Sequence, residues 1–125
     1  MTIQQVLDIV DEMKANDMTR SLKIHFLTEI EQLIHEEILM KHEHTPEQEA
    51  VPEYRDDTDP GTVLLVPDKY AKVYQYWIMK EIDHQNREMN DFNNDTALFE
   101  QAYETFSDYW TRNHMPLTAR RYFRL

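Results

Sequence analysis

Residues 89–110 read MNDFNNDTALFEQAYETFSDYW, and this stretch decides the fold. Its large apolar residues fall at Met89, Phe92, Phe99, Tyr103, Phe106 and Trp110, with Thr96 in the one gap. Steps of three and four residues are the signature of a helix packed along its whole length. Asp91, Asn94, Asp95, Glu100, Gln101, Glu104, Ser107 and Asp108 take the other faces, so the stripe is amphipathic. A helix of this length spans on the order of 30 Å, the width of a small domain. Burial of its aromatics and Met89 at roughly 2 kcal/mol each predicts the keel of an α-helical domain.

Immediately upstream, Pro67 and Asp68 suit a helix start, because proline is tolerated in the first turn and aspartate complements the dipole. Tyr70, Val73, Tyr74, Trp77, Ile78 and Ile82 then mark a third helix that ends near Asn86. The short link to Glu88 requires the third and fourth helices to lie antiparallel, as a long αα-hairpin. At the other end, Thr2 and Gln5 make a capping-box pattern ahead of Ile3, Val6, Leu7, Val10 and Met13. This first helix should fade near Asn16 and Asp17. A second, capped by Thr19 or Ser21, carries Leu22, Phe26, Leu27, Ile30, Leu33, Ile34 and Ile38 and should run to about Lys41. The expected fold is all-α: a small bundle of about four helices in one domain, residues 1–116, followed by a basic tail, residues 117–125.

Between the second and third helices the texture changes. Residues 43–67 hold four of the five prolines, the only glycine, and seven carboxylates against Arg55. So long a stretch without regular structure usually has work to do. One reading is a solvated acidic loop. The other is an arm ordered by a neighbouring subunit, suggested by Val63, Leu64, Leu65 and Val66, four consecutive apolar residues that need a surface to cover them. They can pair as a short strand or lie over the helices.

Composition narrows the function classes. The chain has 125 residues, enough for a single domain with a modest core. Without cysteine, disulfides, thiolate metal sites and cysteine nucleophiles are excluded. No signal peptide is expected at Met1, and no apolar run approaches the ~18 residues of a membrane span, so the expectation is a soluble protein assembled in a cytoplasm. A formal charge of −11 disfavours broad nucleic-acid binding, yet lets DNA pass nearby without sticking. A single glycine leaves no Gly-rich phosphate loop or dinucleotide fingerprint.

Catalytic and metal motifs are largely missing. His35, His42 and His44 invite a metal, but the run after His35 lacks the second histidine of a zincin helix. Glu81 and His84 form one Glu-x-x-His, where a di-iron bundle needs two and further glutamates. Ser21 and Ser107 read as cap or surface residues, and Glu29/Glu31 and Glu36/Glu37 as solvated helix surface, so acid–base catalysis has no pocket. No cofactor, metal or catalytic residue is expected, and an enzyme is not. The aromatics Tyr70, Tyr74, Trp77, Phe99, Tyr103, Phe106 and Trp110 read as core rather than a base-stacking platform, since basic residues are not interleaved. Tyr76 and Tyr109 lie off the stripes and suit a protein interface. Arg120, Arg121 and Arg124, with Tyr122 and Phe123 between, make either a frayed tail or a short docking peptide.

Taken whole, the chain resembles a known group. The residues that carry the likeness are the opening Thr2 to Asp11, the run Lys23 to Ile30, the block Leu64 to Pro67, and the closing pattern. That pattern comprises Tyr70, Tyr74, Ile82-Asp83, Glu88, Phe92-Asn93-Asn94, Ala97-Leu98-Phe99, Ala102-Tyr103, Phe106 and Arg112 to Pro116. They resemble small proteins of tailed phages and Firmicutes prophages in the head-tail connector (head completion) family. The likeness covers residues 1–116, rests on packing positions, and leaves Thr118 to Leu125 outside. It implies a helical protomer that forms a ring, commonly of twelve, beneath the portal protein at the head-tail junction of the virion. The ring would extend the DNA channel, retain packaged DNA and offer a surface to the next neck or tail protein, with no membrane partner. The alternative of another class is a small acidic adaptor or inhibitor, such as a DNA mimic that occupies a basic groove on another protein. An enzyme using the histidines would require metal to co-purify.

Overall fold

The computed structural model describes residues 1–117, and within them the protein is built from four α-helices with no strand longer than an isolated bridge. Helix α1 spans Ile3–Met13 and starts with the full capping box, Thr2 accepting from the Gln5 amide and Gln5 from that of Thr2. Helix α2 spans Arg20–Glu37 with Thr19 as its cap, bonded to the Leu22 amide at 3.2 Å. It stops four residues short of the expected Lys41: the Ile38 amide makes the last bond, to Ile34, and Leu39–Lys41 form a separate 3-10 turn. Residues 43–67 then run back as a strap, interrupted by a 3-10 turn at Pro46–Glu49. Pro67 and Asp68 open another 3-10 turn, Asp68–Tyr70, and helix α3 follows at Lys72–Gln85. Arg87, with φ of 58°, occupies the left-handed region that reverses the chain into helix α4, Met89–Asn113.

Helices α3 and α4 form the long hairpin that the short link demands, and α3 also packs against α1 and α2. The centre of the core is therefore α3 rather than α4. Tyr74, Ile78 and Ile82 of α3 are fully buried in one core cluster with Leu27, Ile30 and Ile34 of α2 and Val10 of α1. Helix α4 contributes Phe99, from its middle, and Phe106 and Trp110, from its C-terminal half.

The N-terminal end of α4 departs from the expected keel. Met89 is 55% exposed and Phe92 half-buried, while Asp95, assigned to a solvated face, is buried. The reason is Lys14, at the C-cap of α1. Its ammonium reaches between the hairpin helices and pairs with Asp83 of α3 and with Asp95 at 3.1 Å. An ion cluster fills the space that apolar side chains were expected to occupy.

The far ends are tied together. His42 and Pro116 form an antiparallel bridge, and the Glu43 amide donates to the Met115 carbonyl at 2.9 Å. The N-terminus is tied likewise, the Ile3 amide donating to Thr62 and that of Leu64 to Met1.

Candidate interaction surfaces

The strap does not wait for another subunit. It lies along α2, running against it, and a polar stripe on that helix holds it one turn at a time. Ser21 donates to Asp56 at 2.6 Å, Thr28 exchanges bonds with the backbone of Tyr54, Gln32 donates to the Pro52 carbonyl at 2.9 Å, and His35 bonds the Gln48 carbonyl at 2.8 Å. Positions 21, 28, 32 and 35 share one helical face, so an extended chain can follow it.

Glu31 lies in the middle of this face, and its placement overturns the reading of a solvated carboxylate. It is 0% exposed. One carboxylate oxygen accepts from the Tyr54 hydroxyl at 2.8 Å and from the Leu65 amide at 3.1 Å; the other accepts from the Tyr74 hydroxyl. Tyr74 in turn accepts from the Val66 amide at 2.9 Å. One side chain thus joins α2, both ends of the strap's second half and α3. Burial pushes the Glu31 carboxyl up despite its three donors, and burial beside that carboxylate pushes both tyrosine hydroxyls up as well. The sequence signal that was available is the i+4 series Leu27, Glu31, His35, adjacent to the apolar stripe.

The apolar tetrad divides. Leu64 is 5% exposed and Val66 is sealed in the protein's own core, Leu65 is half-buried, and only Val63, 70% exposed, is open to a partner. Tyr76 and Tyr109, which would suit an interface if exposed, are half-buried; Tyr109 stacks on Tyr70 at 4.5 Å. Tyr76 lines an open groove of about 310 Å³ between the start of α3 and the middle of α4. Arg120, Arg121, Tyr122, Phe123 and Arg124 lie outside the described residues.

The histidines singled out as ligands are engaged by backbone: His35 as above, His42 by the Ile38 carbonyl at 2.7 Å, His44 by the His42 carbonyl at 2.8 Å. Glu81 takes Lys80, and His84 packs on the Phe92 ring. The carboxylates that do converge are at the hairpin turn, where Asp83, Glu88 and Asp91 each place an oxygen within 4.8 Å of the others. A hard cation such as calcium takes oxygen ligands of this kind, but Asp83 already has the Lys14 ammonium beside it. Burial first, and then the neighbouring Asp95 carboxyl, push Asp83 up to about 6 against the opposing effect of Lys14.

No protein-family model, no curated protein and no solved structure matches the chain. The resemblance to the connector family therefore rests on the quoted residues alone.

Proposed function

We propose that the protein is a ring-forming structural component of a phage head-tail junction, seated between the portal and the next neck or tail protein. The observation that carries this reading is the pattern of residues over 1–116 that resembles head-tail connectors. Two physical features are in keeping with it. A net charge of −11 repels phosphate, so DNA can slide past without being held. The buried carboxylates Glu31 and Asp83, the latter paired with half-buried Lys14, are spent on holding the helices and strap together, as a rigid building block requires. Leu64 and Val66 lend this reading no support, because their own core covers them and they need no neighbouring subunit.

Electron microscopy of lysates from the encoding phage or prophage, with this gene deleted, tests the proposal. Full or leaking heads beside free, finished tails are expected. Normal virions would end the junction reading and favour an acidic adaptor acting on another protein.

A further inference from the structure

The groove between α3 and α4 is chemically unlike the rest of this acidic protein. Its lining includes Lys69, Lys72, Tyr70, Tyr76, Leu98 and Ala102, and no carboxylate. Among the described residues neither lysine makes an ion pair, although the chain holds 24 acidic side chains. Leu98 is one of the few large hydrophobic residues left exposed. The groove offers an apolar floor and two ammonium groups, a site for a carboxylate-rich segment.

Such a segment lies elsewhere on the same fold. Residues 53–59 carry Glu53, Asp56, Asp57 and Asp59 against Arg55, and all five are exposed. The turn is preformed: the Arg55 amide donates to the Thr58 hydroxyl at 2.8 Å, the Thr58 amide to the Arg55 carbonyl at 3.1 Å, and Gly61 to Asp59 at 2.8 Å. A rigid turn loses little entropy on docking.

We infer that the acidic turn 53–59 of one copy docks in the Lys69/Lys72 groove of a second copy. The two patches belong to different elements, so the contact is heterologous: each copy keeps a groove and a turn free for further copies, and a ring results where the rotation closes. The inference thus names the subunit contact of the proposed ring and rests on that reading. A single small contact is weak, and closure supplies the avidity by making the last association intramolecular.

Two full-length variants test it. In the first, Lys69→Gln with Lys72→Gln removes the groove's charge and keeps the turn. In the second, Glu53→Lys with Asp57→Lys reverses the turn, keeps the groove, and spares the Ser21–Asp56 and Asp59–Gly61 bonds. Circular dichroism checks that both are folded, and sedimentation with NMR at about 1 mM follows association, a range suited to a weak contact. Each variant alone should stay monomeric. The two mixed should form a 1:1 complex that shifts Tyr76 and Leu98 of the turn-reversed variant and stops there, since neither retains a second usable patch. Self-association at least about tenfold weaker in each variant than in the wild type is expected. No complex on mixing, or a complex that leaves Tyr76 and Leu98 unshifted, overturns the inference, and in that case an acidic segment of another protein becomes the groove's occupant. The arms separate the two readings: a 1:1 complex with normal virions in the deletion lysate keeps the contact and removes the junction role, and the reverse result keeps the junction role and removes the contact.

Discussion

Glu31 shows how one buried carboxylate can organise a chain. Its oxygens satisfy two tyrosine hydroxyls and the Leu65 amide. Hydroxyls can rotate toward other acceptors, but the Leu65 amide cannot. Glu31→Ala should therefore cost about 1–3 kcal/mol for each donor it strands, read as a shift in the urea midpoint without loss of helix content below it. A loss under about 0.5 kcal/mol would mean that water replaces the carboxylate freely. Asp83 gives a signed pH effect. Its folded value is raised from 3.8 to about 6, so between those values the folded state binds more protons than the unfolded chain. This contribution is fully present below 3.8 and is lost as pH rises through about 6. Asp83→Asn should thus become progressively more stable relative to wild type as pH increases across that window. A relative stability that stays flat would show that Lys14 fully compensates the charge.

At the scale of elements, α4 is two helices in one. Its C-terminal half packs Phe106, fully buried, against Tyr70 and Trp110, with ring centroids 6.2 and 6.0 Å away. Its N-terminal half presents Met89 to solvent and buries Asp95 on Lys14. Phe106→Ala should cost about 3–5 kcal/mol as a core truncation, and Met89→Ala should change stability by less than about 0.5 kcal/mol. Equal losses in denaturant unfolding would restore the uniform keel. The strap follows from a different rule. Proline at 46, 52, 60 and 67 denies it a helix, so its backbone groups must find partners elsewhere, and the polar face of α2 provides them. Glu31 and His35 are buried for that reason.

On the scale of the whole molecule, charge is the dominant imbalance. With a net charge of −11, carboxylate repulsion outweighs what the mostly exposed ion pairs return. Raising ionic strength from about 0.02 to about 0.3 M, which shortens the screening length several-fold, should raise the urea midpoint. A fall would mean that the Lys14 cluster governs stability instead. The same imbalance makes the lysine groove stand out.

The sequence alone determined the helices and their order, because amphipathic period, capping residues and proline act within a few residues of where they stand: Thr2, Thr19 and the short link at residues 86–88 were all legible. It also set the acidic character and the irregular strap. Only the tertiary structure decided which helix lies at the centre, where the strap goes and which polar residues are buried. Glu31 and Tyr54 are 23 residues apart, Lys14 and Asp83 69. A carboxylate next to an apolar stripe reads the same in sequence with or without a partner brought from such a distance. Burial of a charge depends on that partner, and only the fold places it.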